Sequence, residues 1–125
     1  MPELPEVQTT VDGINLVSKG SVIVDVWTDM FSSAHIFKNS IKNKKYFENV
    51  FKPAVIGKKI IEANRRAKNI LIKLTEDTTI LIHMKMTGHV MYGTYVYDAK
   101  QNTWSPKKGQ ASLEDPFNRF VHVVF

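Results

Sequence analysis

The feature that most constrains the fold is a series of β-prone runs in the middle of the chain: GKKIIEANRR, KNILIKLTED, TTILIHMKMTG and HVMYGTYVYDA. Short turns separate these runs, for example at Glu76-Asp77 and near Gly88. Tight connections leave no room for the helical crossovers of a parallel sheet. We therefore expect an antiparallel meander that folds into a sandwich or barrel.

An amphipathic helix is predicted at the N-terminus. Apolar residues recur there at spacings of three and four: Leu4, Val7, Val11 and Ile14. Pro5 suits the first helical turn, where its missing N–H costs nothing. Glu6 falls in the same turn, where the positive end of the helix dipole favours a carboxylate. Gly20 is expected to end the segment.

Three further segments complete the predicted fold. Residues 21–29 (SVIVDVWTD) are β-branched and are expected to form a strand, and residues 46–51 suit a short helix closed by Pro53. A polar, lysine-bearing loop at residues 100–116 precedes the final strand, RFVHVVF. The predicted class is mainly β with flanking helices (α+β), an antiparallel β-sandwich whose N-terminal helix carries the chain terminus.

Composition excludes several classes of protein. The chain has 125 residues, which fits one domain, and it has no apolar run near the ~20 residues that a membrane span needs. It has no cysteine, which excludes disulfides and thiolate zinc sites. Between residues 38 and 73, eleven Lys or Arg face only Glu48 and Glu62. This basic stretch indicates either a polyanionic partner, most often nucleic acid, or a solvated charged surface.

The N-terminus can also be considered as a reagent. If Met1 is removed, Pro2 presents a secondary amine at the positive end of a helix, where protonation is disfavoured. Its attack on a sugar aldehyde carbon gives an iminium, which is a strong electron sink. Glu3 beside it is suited to general acid chemistry, and Glu6 lies one turn further on. The structural alternative is a stiffened helix start with carboxylates that match the dipole.

Two internal stretches bear residues suited to nucleic-acid contact. In NRRAKN, the cations Arg65, Arg66 and Lys68 lie at the junction of two strands, where they can neutralise phosphates or form an exposed turn. In HMKMTG, His83 can donate to a phosphate, and Met86 can act as an apolar wedge between bases. A core histidine and a core methionine are the structural alternatives.

Together the stretches MPELPEV, RRAKNIL and HMKMTG, in this order, resemble the N-terminal catalytic domain of bacterial formamidopyrimidine-DNA glycosylase, in the family that includes endonuclease VIII. The related endonuclease VIII branch usually has glycine where this chain has Leu4. The resemblance covers essentially the whole chain and implies a two-layer β-sandwich flanked by helices. It also implies a base-excision-repair glycosylase with AP-lyase activity (β,δ-elimination) on oxidised purines such as 8-oxoguanine and formamidopyrimidines.

The resemblance also implies roles for individual residues. Pro2 corresponds to the amine that attacks C1′, Glu3 to the acid that helps to open the sugar, and Glu6 to a carboxylate that supports the terminus. Lys68 corresponds to a lysine that contacts phosphate near the lesion. The expected DNA-binding residues are His83 on phosphate, Met86 in the gap left by the flipped base, and the basic pair Arg65 and Arg66.

The expected organisation is a catalytic domain at residues 1–125 without the family's helix–two-turn–helix segment and zinc finger, and so without a metal or other cofactor. The expected partner is double-stranded DNA that contains oxidised bases or abasic sites, bound by a cytoplasmic, nucleoid-associated monomer with no membrane contact. Activity of this domain alone is expected to be weak. The competing hypotheses are a non-catalytic nucleic-acid-binding module with the same fold and a purely structural domain.

Overall fold

The structure is a computed structural model that describes residues 4–31, 40–83, 90–108 and 121–125. It confirms the α+β class. Helix α1 (Leu4–Ser18) is followed by a short helical segment made of α2 (Lys44–Tyr46), a π-helical stretch (Phe47–Phe51) and α3 (Lys52–Val55). The strands are β1 (Trp27–Thr28), β2 (Ile60–Arg66), β3 (Asn69–Leu74), β4 (Thr78–His83), β5 (Tyr95–Asp98), β6 (Thr103–Pro106) and β7 (Val123–Val124).

The central sheet has the order β2-β3-β4 and is antiparallel throughout, which confirms the predicted meander for three of its four runs. In the described residues the fourth run contributes β5, which pairs with β6 and not with β4, because the polar segment after it forms a strand of its own. Two smaller antiparallel pairs, β1-β7 and β5-β6, accompany it. The loop between β3 and β4 contains Glu76 and Asp77, both with positive φ, at 62° and 55°. Such tight loops bring consecutive strands directly side by side, as the sequence requires.

The hydrophobic core lies between α1 and one face of the central sheet. The predicted apolar stripe of α1 is buried at Val7, Val11 and Ile14. Ile70, Ile72 and Leu74 alternate along β3, so they share the face of the sheet that packs against α1. Buried residues of the other elements complete the core: Ile23, Val26, Phe47, Val55, Ala63 and Ile80. This packing fixes the helix against the sheet.

The outer edge of β2 is covered by a side chain of α1. The Asn15 amide donates to the carbonyl of Ala63 at 2.9 Å and accepts from the N–H of Ala63 at 2.7 Å. Both backbone groups of Ala63 that face away from β3 are thereby paired, as a neighbouring strand would pair them. Asn15 therefore anchors the second half of α1 to the middle of β2.

The predicted strand at residues 21–29 is mostly wrong. Only Trp27–Thr28 forms a strand, and Val22 makes an isolated bridge to Lys59. Asp25 explains the interruption, because its Oδ1 accepts from the N–H of Val26 at 2.8 Å. Such a local side-chain bond competes with ladder pairing.

Pro53 does not close the helix before it, contrary to prediction. The π-helical stretch ends in a hydrogen bond from the N–H of Lys52 to the carbonyl of Phe47, and α3 then continues to Val55 with Pro53 in its first turn. A proline there forgoes no helical hydrogen bond. The wider π turn lets the chain begin a new helical turn at the proline.

The region predicted as a loop from residue 100 onwards contains strand β6. Its turn with β5 is organised by Asp98, whose Oδ1 accepts from the N–H of Lys100 at 2.9 Å. Asn102 then adopts a φ of 52°, a conformation that asparagine tolerates well. None of the helices in the described parts of the chain is long and apolar enough to cross a membrane.

Candidate nucleic-acid interface

Helix α1 and strand β2 run in opposite directions, side by side. Asn15 in the second half of the helix contacts Ala63, whereas Gln8 nearer its start contacts Arg65. Along the chain Gln8 precedes Asn15 but Arg65 follows Ala63, so the two elements must be antiparallel. The N-terminal end of α1 therefore points to the end of the sheet where the β2–β3 turn lies.

That end of the sheet carries a row of polar side chains. Arg66 pairs with Asn69 across β2 and β3, and Asn69 pairs with His83 across β3 and β4. Directly opposite residues of antiparallel strands project from the same face, with Cβ atoms ~5 Å apart. Lys68 lies in the turn between β2 and β3. We refer to Arg66, Lys68, Asn69 and His83 as the basic end of the sheet.

The basic end is accessible. Arg66 and His83 are exposed, and Lys68 and Asn69 are half-buried. Two cationic side chains and an imidazole at one end of the sheet form a surface that suits phosphate groups. Three of the residues predicted for DNA contact or catalysis, Arg66, Lys68 and His83, are thus brought together by the strand register.

The turn that carries Lys68 is tight and strained. Only Ala67 and Lys68 lie between the paired residues Arg66 and Asn69, and Ala67 has a φ of 52°. A left-handed conformation brings Cβ of a non-glycine residue close to its own backbone and costs ~1 kcal/mol. Because the turn holds only two residues, the backbone of Lys68 is held directly beside the first residue pair of the β2–β3 ladder.

Arg65 lies on the opposite face of β2 from Arg66, because successive strand residues alternate. Its Nε donates to Oε1 of Gln8 at 3.1 Å, and its Nη1 donates to the carbonyl of Ala67 at 3.2 Å. Gln8 in turn donates from Nε2 to Oδ1 of Asp12 at 2.9 Å. The two arginines of the RRAK motif are therefore separated: one faces α1, and the other belongs to the basic end.

Glu6 is exposed in the first turn of α1, where its charge complements the helix dipole. Its backbone carbonyl accepts a hydrogen bond from Oγ1 of Thr10 at 3.1 Å. Pro2, Glu3 and Met86 lie outside the described residues, and their predicted roles stay predictions. Among the described residues, no group of three His, Cys, Asp or Glu side chains is placed to hold a metal ion.

Sequence reasoning did not single out Gln8, Asp12 or Asn69. Asn69 becomes recognisable once the turn between β2 and β3 is known to hold two residues, since the register then follows. Gln8 and Asp12 are four apart on one helix face, a spacing at which an amide and a carboxylate interact. This spacing does not show that Arg65 contacts Gln8, because that contact depends on how α1 packs against β2.

The sequence matches the family profile of the formamidopyrimidine-DNA glycosylase N-terminal domain over residues 1–124. The chain belongs to this family. It is 39% identical over 88 residues to a formamidopyrimidine-DNA glycosylase of Bartonella tribocorum, which covers 70% of this chain and 27% of the relative. It is 30% identical over 125 residues to one of Pelotomaculum thermopropionicum, covering 100% of this chain and 36% of the relative.

Solved structures of the family share the fold. The wild-type Lactococcus lactis Fpg in complex with a DNA that contains N7-benzyl-Fapy-dG superimposes with a TM-score of 0.52 at 23% identity, over 68% of this chain and 28% of that protein. A complex of the same protein with a THF-DNA and an inhibitor gives the same values. The chain therefore spans well under half the length of the relatives it matches.

Proposed function

We propose that this chain is the catalytic N-terminal domain of a base-excision-repair DNA glycosylase with AP-lyase activity. The observation that carries the proposal is the meeting of two features at one end of the sheet. The basic end presents Arg66, Lys68 and His83, and α1, which packs on the face of the sheet opposite Arg66 and His83, directs its N-terminal end to the same end of the sheet. Membership of the family supports the same assignment.

The proposed chemistry begins at the N-terminus once Met1 has been removed. The neutral amine of Pro2 attacks C1′ of the damaged nucleotide; the N–C1′ bond forms, the base leaves with the electron pair of its glycosidic bond, and the proton of the Pro2 nitrogen passes to the departing base. Glu3 donates a proton to the ring oxygen as the sugar opens, which leaves an iminium between Pro2 and C1′. Loss of a C2′ proton then expels the 3′ phosphate, a second elimination expels the 5′ phosphate, and water releases the free amine.

The remaining residues are proposed to hold the DNA. Lys68, Arg66 and His83 bind phosphates beside the lesion, and Met86 fills the space that the flipped nucleotide leaves. Glu6 supports the terminus from the first turn of α1. The proposed substrates are oxidised purines such as 8-oxoguanine and formamidopyrimidines, together with abasic sites. Activity of this chain alone is expected to be weak, because it makes fewer phosphate contacts than a full-length relative would. Each phosphate contact that is missing lowers the affinity for DNA and the dependence of that affinity on salt.

The decisive experiment is borohydride trapping on a duplex with a single abasic site, at low salt and high protein concentration. Borohydride delivers hydride to C1′ of the iminium and converts it to a stable amine, so an enzyme that uses Pro2 becomes covalently attached to DNA. Mass spectrometry of the protein first establishes that Pro2 is the free N-terminal residue, and peptide mapping of the adduct then places the link. We expect an adduct at Pro2.

Three variants separate the roles. Pro2→Glu removes the secondary amine and should abolish trapping. Lys68→Ala should slow trapping while the circular dichroism spectrum stays unchanged. Lys19→Ala, just beyond the other end of α1, removes the same charge far from the basic end and should trap like the parent protein. Salt-sensitive DNA binding without any adduct, from protein with a confirmed free Pro2, would instead identify a non-catalytic binding module.

A further inference from the structure

Arg65 connects the two elements whose relative position the proposed reaction depends on. Its guanidinium donates from Nε to the side chain of Gln8 in α1 and from Nη1 to the carbonyl of Ala67, at 3.1 and 3.2 Å. Ala67 is the residue directly before Lys68. One planar group thus touches both the helix that leads to the N-terminus and the turn that carries Lys68.

A second hydrogen bond within α1 orients the Gln8 side chain that Arg65 contacts. Gln8 donates from Nε2 to Oδ1 of Asp12 at 2.9 Å, which turns Oε1 of Gln8 to Arg65. The chain of hydrogen bonds runs from Asp12 through Gln8 and Arg65 to the carbonyl of Ala67. Both hydrogen bonds of Arg65 lie at the surface. Because the guanidinium is rigid and planar, two hydrogen bonds to different acceptors set its orientation as well as its distance.

Val7 and Val11 hold the first half of α1 against the core, but this apolar packing is non-directional and does not set the orientation of the helix start relative to the turn between β2 and β3. Asn15 anchors α1 at the middle of β2, two helical turns away from Gln8. A small rotation about that anchor displaces the first turn most, since displacement grows with distance from the pivot. The link between Gln8 and Arg65 lies on the side of the pivot where the terminus is.

We propose that Arg65 is a positioning residue that holds the N-terminal end of α1 in register with the turn that bears Lys68. The inference rests on the proposed function and deepens it, because its main consequence is for the reaction at Pro2. A nucleophile and the phosphate contact that presents its target must be aligned to a fraction of an ångström, and a misplacement of ~1 Å costs as much as ~100-fold in rate.

Positioning and phosphate binding make opposite predictions for Arg65. A residue that binds phosphate releases a counterion, so its loss reduces the slope of log affinity against log salt by ~0.9. A positioning residue leaves that slope unchanged and slows the chemical step. Arg66, on the other face of β2, is the internal comparison for phosphate binding.

The test measures single-turnover trapping rate and the salt dependence of binding to abasic duplex for matched variants. Arg65→Gln and Gln8→Leu should each slow trapping by about ten-fold at saturating protein, and the double variant should be no slower than either. Gln8→Glu keeps an acceptor for Nε of Arg65 and should restore most of the rate. Arg65→Lys keeps the charge but has no planar group to bridge Gln8 and the carbonyl of Ala67, and should be slow. Lys19→Gln is the control for lost charge.

The outcomes separate the two proposals. Arg65→Gln with an unchanged salt slope and a slower rate, next to Arg66→Gln with a slope reduced by ~0.9, supports positioning. A parent-like trapping rate in Arg65→Gln, a reduced slope in that variant, or strictly multiplicative effects of Arg65→Gln and Gln8→Leu would overturn the inference while leaving the proposed function intact. Absence of an adduct with the parent protein would overturn both. A parent-like free energy of unfolding in Arg65→Lys excludes misfolding as the cause.

Discussion

Substitution of Asn15 by alanine tests how α1 is attached to the sheet. The change removes two hydrogen bonds to Ala63, of 2.9 and 2.7 Å, each worth about 1 kcal/mol net. Alanine is the better helix former by about 0.6 kcal/mol, which offsets part of the loss. The expected decrease in the free energy of unfolding is therefore about 1.5 kcal/mol. It becomes larger if water cannot reach the backbone of Ala63, because an unsatisfied buried group costs about 1–3 kcal/mol.

The measurement is equilibrium unfolding in urea, with the slope of the transition compared between variants. Asn15→Asp is the matched variant: it keeps an acceptor for the N–H of Ala63 but sets a carboxylate against the carbonyl of the same residue. We expect it to be at least as destabilising as alanine. Asn64 lies beside Ala63 in β2 but is exposed. Asn64→Ala loses only a 3.4 Å contact with Glu62 and should change the free energy of unfolding by less than about 0.5 kcal/mol.

A protein with Asn15→Ala that is as stable as the parent, or more stable, would refute this account of the strand edge. It would mean that water pairs the backbone of Ala63 at no cost and that the hydrophobic stripe alone holds α1. Equal losses for Asn15→Ala and Asn64→Ala would refute it as well, because the effect would then be a general one of replacing asparagine.

Two further predictions concern backbone conformation and charge. Gly57 has a φ of +86° and nothing within 4 Å of the position that a methyl group would take, so Gly57→Ala should lower the free energy of unfolding by about 1 kcal/mol through conformation alone. Gly13 is equally unobstructed but lies inside α1, so Gly13→Ala should raise the free energy of unfolding by about 1 kcal/mol. Both changes are measured by urea unfolding. The hydrogen bond and charge of Lys58, 2.7 Å away, lower the pKa of Glu76 below its ordinary value of 4.5. Since the folded-state pKa is the lower one, the stabilisation is present above the unfolded-state pKa and is lost as pH falls through the folded-state pKa. NMR titration should show the pKa of Glu76 rising to its ordinary value in Lys58→Met, and an unchanged pKa would contradict the assignment.

The parts of the fold that the sequence predicts correctly are those governed by local periodicity. The stripe of Val7, Val11 and Ile14 and the β-branched runs of β2, β3 and β4 each bury one face, and tight loops leave one way to pair them. The errors arise where one side chain overrides the local pattern. Asp25 bonds its neighbour's N–H and interrupts a strand, and Asp98 organises a turn at the start of a segment whose composition predicts a loop.

The candidate site shows the same division. Three of its members, Lys68, Arg66 and His83, are recognisable from residue type and order, but which of them share a surface depends on register. Arg65 illustrates the difference most clearly. Composition places it with the other cations, while alternation along β2 turns it to α1 and to Gln8. Sequence alone shows neither the packing of the helix nor the partner it provides.

The length of the turn between β2 and β3 links the fold to the proposed chemistry. Two residues, Ala67 and Lys68, close this hairpin, and the register that follows places Arg66 opposite Asn69. A slip of one residue would move every side chain of β2 to the other face, so Arg66 would face α1 and Arg65 would replace it in the basic end. The positive φ of Ala67 is a local cost that the turn sustains because it keeps the hairpin at two residues. A short, strained turn is thus the feature that assigns the two arginines their different positions.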